Sequence, residues 1–145
     1  EDEHQTDATF IDVGWGTGVI DRLRQLGRSP IPVNFGSRAK NPDRYVNLRA
    51  EMWCEIKEWL ESGGILPSVE DLRDDLIAPE YGFASNGKIQ LESKDDIKKR
   101  GLASPDLADA LALTFAAPVM PKSHRAAMQK TEPYDPLNRH RRKRR

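Results

Sequence analysis

The chain has 145 residues, of which 37% are apolar and 32% are charged, a composition typical of one folded domain. Its single cysteine, Cys54, excludes an intrachain disulfide. No segment approaches the roughly 20 apolar residues that a membrane-spanning helix needs, and the acidic start lacks the basic and apolar parts of a signal peptide. We therefore expect a protein of a reducing, cytosol-like compartment, with no contact with a membrane.

The net charge of zero hides an uneven distribution of charge. Residues 138–145 hold six of the 23 basic residues and no acid, so residues 1–137 carry 17 basic against 23 acidic residues, a balance of −6. Four prolines interrupt the segment before this basic end, and it has few large apolar residues. We place the folded domain at residues 7–119 and expect residues 120–145 to form a basic, disordered tail.

The first third of the chain has the pattern of a strand, a helix and a second strand. Residues 8–13 are mostly apolar and β-branched, which predicts a buried strand. A glycine-rich turn over 14–18 and a helix over 19–26 follow, and residues 31–35 are a second strand candidate. This order favours parallel pairing of the two strands through a right-handed crossover.

The rest of the chain predicts more helices and one hairpin. In order, these are a long helix capped by Asn41, a shorter helix capped by Ser68, a β-hairpin that turns at Asn86-Gly87, a brief helix capped by Ser93 and a last helix over 105–117. Trp53 and Trp59 on the long helix are assigned to the core. The fold class is α/β. Two parallel strands are too few for an independent sheet, so either preceding chain completes it or further strands escape the pattern.

Asp12 is unusual because it lies within an apolar strand, at the point where the chain leaves the sheet. Ligands of open α/β sheets bind at the carboxyl ends of the strands. An unpaired carboxylate there would cost several kcal/mol, so Asp12 needs a cation, donors or water. Two explanations stay open at this point: a ligand site, or a carboxylate that accepts amide hydrogens from the glycine turn.

Asp106 and Asp109 form a second candidate site at the start of the last helix. Asp106 falls in the first turn, where the helix dipole favours a carboxylate by roughly 0.3–1 kcal/mol. Asp109 is one turn further, on the same face and about 5–6 Å away. Adjacent carboxylates repel unless a cation lies between them, and aspartate with water suits Mg²⁺ or Mn²⁺. The alternative is that Asp109 only contacts solvent at a helix end.

A cluster of basic residues precedes this helix, and the motifs of two common phosphate-binding sites are absent from the sequence. The basic residues are Lys94, Lys98, Lys99 and Arg100. They are either a solvated charged turn or a cationic rim that holds a nucleic-acid backbone beside a metal.

The dinucleotide fingerprint G-x-G-x-x-G and the phosphate-binding P-loop are both absent from the sequence. All three histidines lie in the polar ends of the chain, so no core histidine is available as a catalytic base.

Four motifs in this order resemble the nuclease domain of the large terminase subunits of tailed phages. They are Phe10-Ile11-Asp12-Val13-Gly14-Trp15-Gly16-Thr17-Gly18, Asn47-Leu48-Arg49-Ala50-Glu51-Met52-Trp53, Ile89-Gln90-Leu91-Glu92-Ser93-Lys94 and Ser104-Pro105-Asp106-Leu107-Ala108-Asp109-Ala110. The resemblance covers residues 8–119. It implies an RNase H-like fold, with a mixed sheet flanked by helices, that cuts concatemeric double-stranded DNA during genome packaging.

The resemblance also implies roles for individual residues. Asp12 matches the carboxylate of the family's second motif and Asp106 that of the last, with Asp109 as a neighbouring acid that ligates or orients. The complete site would hold two Mg²⁺ or Mn²⁺ ions, one activating water and one stabilising the leaving oxygen. The implied partners are double-stranded DNA, the portal and the small terminase subunit, in the cytoplasm of a bacterial host.

One departure from the family pattern is important. The family's first catalytic aspartate lies on a strand before Asp12, and the polar residues at the start of this chain do not form such a strand. We therefore expect the C-terminal part of a longer polypeptide, with an incomplete metal site. Two alternatives stay open: a docking module that binds DNA or the portal through the basic tail, and another RNase H-like nuclease such as a junction resolvase.

Overall fold

The computed structural model describes residues 6–121, and residues 8–118 of these form one compact unit. Its elements follow in chain order: β1 Phe10–Asp12, α1 Val13–Gln25, β2 Ile31–Val33, α2 Leu48–Glu61, α3 Glu70–Ile77, β3 Tyr81–Phe83, β4 Ile89–Leu91, α4 Lys94–Lys99 and α5 Asp106–Leu113. The α/β class is confirmed. Within the described part, however, parallel and antiparallel strands lie in two separate two-stranded sheets. The basic end of the predicted tail lies outside the described residues.

The predicted parallel pair is present, but the glycine turn between its strand and helix is not. β1 pairs with β2 in parallel, with Asp12 opposite Val33. Helix α1 begins at Val13, directly after β1, so the glycine-rich segment is helical. The helix starts this early because Asp12 is its N-cap and accepts a hydrogen bond from the Gly14 N–H at 3.1 Å. Gly16 suits this crowded start because a Cβ there would lie 2.5 Å from Ile11.

The bounds of three other helices differ from the prediction. Helix α2 is capped by Asn47 instead of Asn41, because the backbone around Tyr45 forms a bridge with Ile89 and cannot be helical there. The N-cap of helix α3 is Val69 instead of the predicted Ser68, and Val69 makes no side-chain capping hydrogen bond. Helix α5 is shorter than predicted at both ends. The cap of α4 by Ser93 is confirmed, since its side chain accepts from the Asp96 N–H.

The predicted hairpin is confirmed. Strands β3 and β4 pair antiparallel, with Tyr81 opposite Leu91. The turn contains Gly87 at φ 76°, a backbone angle that glycine adopts at little cost. β4 also carries the bridge to Tyr45, so the hairpin is attached to the segment that leads into α2.

The main core lies between α2, α5 and the parallel strands. Its buried members are Val33, Met52, Trp53, Ile56, Ala108 and Ala112, with Phe10 of β1 packed against them. The two core alanines let α5 approach α2 closely. The core assignment of Trp53 is confirmed. That of Trp59 is wrong: its side chain is 37% exposed and its ring packs edge-on against Phe115 at the surface.

Replacing Ile56 by alanine tests the core directly. Ile56 is 2% exposed, so we expect Ile56→Ala to lower the free energy of unfolding by about 2–5 kcal/mol through lost burial and a cavity. The matched control is Ile65→Ala, since Ile65 is 88% exposed and should change it by less than about 0.5 kcal/mol. Urea denaturation followed by circular dichroism measures both; equal effects would contradict this core.

Candidate metal centre

The two aspartates of α5 lie in opposite environments. The Asp106 side chain is 77% exposed, whereas that of Asp109 is 6% exposed. Both are in the first turn of the helix, but the Asp109 side chain is buried against α2. The alternative explanation, in which Asp109 only contacts solvent at a helix end, is therefore wrong.

Asp109 is held by two buried donors of α2. Its Oδ1 accepts from Arg49 Nε at 3.1 Å and from Trp53 Nε1 at 2.9 Å. Arg49 also donates from Nη1 to the carbonyl of Glu92, just before α4, at 2.9 Å. A buried carboxylate with a paired guanidinium and an indole N–H is satisfied at this oxygen. These contacts fix α2, α4 and α5 against one another.

Lys94 of α4 provides the cation between the two carboxylates. Its Nζ lies 2.8 Å from Asp109 Oδ2 and 3.3 Å from Asp106 Oδ1. Burial by itself lowers the pKa of Lys94, but the hydrogen bonds and charges of Asp109 and Asp106 outweigh it and raise that pKa. The repulsion between neighbouring aspartates is thus relieved by an ammonium group of the chain itself.

Asp106 remains largely accessible to solvent. Ser104 Oγ donates to Asp106 Oδ1 at 2.7 Å. This hydrogen bond is the main reason that the pKa of Asp106 lies below its ordinary value; Lys94 and the nearby charge of Lys98 lower it further. The carboxylate is therefore ionised at neutral pH, and its exposure leaves it accessible to a cation from solvent.

Asp12 lies at the carboxyl end of β1, on an element that contacts α5. Both predicted explanations have a basis here: one oxygen caps α1, and Oδ2 makes no hydrogen bond within the described residues. A chain of contacts connects this sheet edge to α5. Asp12 is opposite Val33, the segment after β2 accepts the Arg49 N–H through the Phe35 carbonyl at 3.1 Å, and the Arg49 side chain binds Asp109.

The described residues supply only part of a ligand set for a divalent ion. Between residues 6 and 121, no group of three or more His, Cys, Asp or Glu side chains could hold one ion. Asp12 and Asp106 suit a hard cation because each is a carboxylate with an oxygen that makes no hydrogen bond in this part of the chain. Asp109 is buried and its Oδ1 accepts two hydrogen bonds, but its Oδ2 makes none and lies 2.8 Å from Lys94 Nζ in an ion pair.

The four basic residues of the predicted rim are not equivalent. Lys94 contacts the aspartates of α5, and Lys99 pairs with Asp96 at 2.6 Å. Arg100 binds Glu92 and lies 3.3 Å from Glu80. Lys98 is exposed and makes no ion pair among residues 6–121. Of these four basic residues, Lys98 alone is not in direct contact with an acidic side chain of the described residues.

Three contributors to the site escaped the sequence reasoning: Arg49, Trp53 and Ser104. Arg49 and Trp53 lie one helical turn apart on α2 and both reach Asp109. A spacing of four residues places two donors on one helix face, but nothing local shows that a carboxylate 56–60 residues later meets them. For Ser104, in contrast, the sequence contains a local signal, since a hydroxyl two residues before a carboxylate is a usual hydrogen-bond partner of it.

Comparisons with known proteins agree with this architecture. No family model matches the chain, and no curated protein matches it closely. Among solved structures, a lysine-to-alanine mutant of the nuclease domain of the large terminase subunit gp2 of bacterial virus Sf6, with manganese, matches at a TM-score of 0.68. It is 20% identical in sequence, and the match covers 80% of this chain and 68% of that one.

The chain has the fold of that nuclease domain. The calcium form of the mutant gives the same TM-score and identity, over 80% of this chain and 67% of that one. A further structure of the same nuclease domain gives a TM-score of 0.62 at 20% identity, over 81% of this chain and 68% of that one. The predicted resemblance is thereby confirmed for the fold. None of the helices within the described residues is long and apolar enough to cross a membrane.

The hydrogen bond from Ser104 should affect the pH at which Asp106 becomes protonated. Because it holds the pKa of Asp106 below its ordinary value, contacts of the ionised carboxylate are present at neutral pH and are lost as the pH falls through this lowered pKa. We expect Ser104→Ala to raise the pKa and move that loss to higher pH. Carboxyl ¹³C NMR titration of Asp106 measures it, with Ser62→Ala as the control. An unchanged pKa would show that Ser104 is not the main cause.

Proposed function

We propose that this chain is the nuclease domain of a phage terminase large subunit, a divalent-metal-dependent endonuclease that cuts double-stranded DNA during genome packaging. The observation that carries the proposal is the pair Asp12 and Asp106. Both are carboxylates with an open oxygen, on neighbouring elements of a fold shared with a terminase nuclease domain. The proposal includes an RNase H-like fold and a location in the cytoplasm of a bacterial host. It also includes contacts with the portal and with the small terminase subunit.

Mg²⁺ or Mn²⁺ is the cofactor that these residues favour. Hard divalent ions take carboxylate and water oxygens, and two of the Sf6 structures contain manganese and calcium respectively. A bound ion would supply a water nucleophile or stabilise the leaving oxygen of the phosphodiester. Asp12 and Asp106 would hold it, and the second ion of the two-ion mechanism requires ligands beyond them. The chain itself keeps Asp106 ionised and places the Lys94 ammonium beside it.

Mn²⁺ binding tests this assignment without requiring activity. We expect Asp106→Asn to weaken Mn²⁺ binding by at least about tenfold, since a neutral amide replaces a charged ligand. The control is Asp95→Asn, which removes an exposed acid of α4 and should leave the affinity unchanged. Titration followed by electron paramagnetic resonance of free Mn²⁺ measures both. If Asp106→Asn binds Mn²⁺ as tightly as the parent, Asp106 is not a ligand.

The DNA backbone is the expected partner of Lys98. Lys98 is exposed and close enough to Asp106 to lower that residue's pKa. Lys99 and Arg100, in contrast, are already paired with acids. A cation that already faces a carboxylate gives up part of that contact when it binds a phosphate, so an unpaired cation binds the phosphate at a lower cost. We therefore assign DNA contact to Lys98 ahead of Lys99 and Arg100.

The salt dependence of DNA binding tests this assignment. We expect Lys98→Ala to reduce the slope of log K against log salt by about 1, the amount expected for one lost phosphate contact. Lys99→Ala is the matched control on the same helix and should change the slope less, because Lys99 is paired with Asp96. Fluorescence anisotropy of a labelled duplex at several salt concentrations measures it. Equal changes in the two variants would contradict the assignment.

The basic tail favours a second candidate function. Residues 138–145 carry six basic side chains and no acid, which suits a docking module that binds DNA or another packaging component. Six phosphate contacts correspond to a salt slope of about −5. The same anisotropy measurement on a chain that lacks these residues separates the candidates, because a slope that disappears with the tail assigns DNA binding to the tail and not to α4.

A further inference from the structure

Helix α5 begins without a capping side chain of its own. Its N-cap is Pro105, which makes no side-chain capping hydrogen bond. The Ser104 hydroxyl, the nearest local candidate, donates to the Asp106 carboxylate instead. The first N–H groups of a helix have no partner within that helix, so the start of α5 depends on acceptors from elsewhere in the chain.

Asp75 of α3 supplies the missing cap. Its Oδ2 accepts from the Leu107 N–H at 2.8 Å and from the Ala108 N–H in a second, longer hydrogen bond of 3.4 Å. A carboxylate suits this place because it accepts both hydrogen bonds and faces the positive end of the helix dipole. Leu107 directly follows Asp106, so a side chain of another helix holds the turn that carries Asp106.

The backbone that carries Asp75 is anchored on both sides of the residue's own helix. The next residue, Leu76, packs against the main core. Three residues after Asp75, the Ala78 carbonyl accepts from Arg100 Nη2 at 2.6 Å, and Arg100 is the C-cap of α4. Helix α3 therefore offers the Asp75 carboxylate to α5 from a fixed position.

We propose that Asp75 is a positioning residue that fixes the first turn of α5 and, with it, the Asp106 carboxylate. This rests on the proposed function, in which Asp106 is a metal ligand. Asp75 acts through the amides of Leu107 and Ala108 and does not contact the ion. Without this cap the first turn frays, and Asp106 loses the fixed backbone from which it reaches the ion.

Amide hydrogen exchange in the full chain without metal tests the cap. The measured quantity is the exchange rate of the Leu107 amide relative to the Ile56 amide in α2, followed by NMR. We expect Asp75→Ala to raise this ratio by about tenfold, the size typical of a lost N-cap. Asp75→Asn keeps an oxygen acceptor and should stay within about twofold of the parent. The matched control is Asp74→Ala, which removes an exposed acid of the same helix and should leave the ratio unchanged.

Two results of this experiment would overturn the proposal. An equal rise in Asp75→Ala and Asp75→Asn would show that the charge of Asp75, and not its hydrogen bonds, protects the amide. A general loss of stability would raise both exchange rates together and leave the ratio unchanged. Asp75→Leu has no acceptor but keeps the bulk of the side chain, so it covers the case in which Asp75→Ala does not fold. We expect the same rise, and an unchanged ratio in either folded variant contradicts the cap.

The affinity for Mn²⁺ connects the cap with the proposed site. We expect Asp75→Ala to bind Mn²⁺ at least about threefold more weakly than Asp75→Asn, because both variants lack the charge and only the second keeps the acceptor. Equal affinities would show that the cap does not position Asp106. If the parent chain bound no Mn²⁺, the proposed function would fail, whereas the exchange ratio is measured without metal and reports on the cap independently.

Discussion

A buried carboxylate on α5, Asp109, accepts hydrogen bonds from Arg49 and Trp53 of α2, and the rest of the candidate site is arranged around these contacts. Breaking a buried ion pair on one side costs about 3–5 kcal/mol, because it leaves an uncompensated charge. Two helices that meet across such a pair have one relative position. Small residues at the same interface, Ala108 and Ala112, allow the close approach that short hydrogen bonds require.

The same contact connects the core to the surface chemistry. Through Lys94, the buried charges extend to Asp106, whose carboxylate is exposed. Positive and negative groups alternate from Arg49 to Asp106, so each charge has an opposite neighbour. These groups keep an exposed carboxylate ionised, which suits the proposed binding of a divalent ion. The likeness to the Sf6 nuclease domain supports this interpretation through the fold.

The structure also separates residues that the sequence grouped by type. Four basic residues in a run gave one predicted cationic rim, but Lys99 and Arg100 are paired with acids of their own neighbourhood, and Lys94 contacts α5. Two aspartates at helical spacing gave one predicted pair, but one is buried and the other exposed. Residue type supplied the candidate residues, while the contacts that each of them makes depended on partners distant in the chain.

Local patterns in the sequence were sufficient for the α/β class, the parallel pair and the hairpin, because strand alternation and the Asn86-Gly87 turn depend on neighbouring residues. They also identified Asp12, and Asp109 more than Asp106, as unusual carboxylates. Where α1 and α2 begin, and what surrounds Asp109, only the tertiary structure decided. The bridge from Tyr45 to Ile89 and the bond from Trp53 to Asp109 join residues 44 and 56 positions apart. Such contacts form only when the core brings their elements together, so no local pattern contains them.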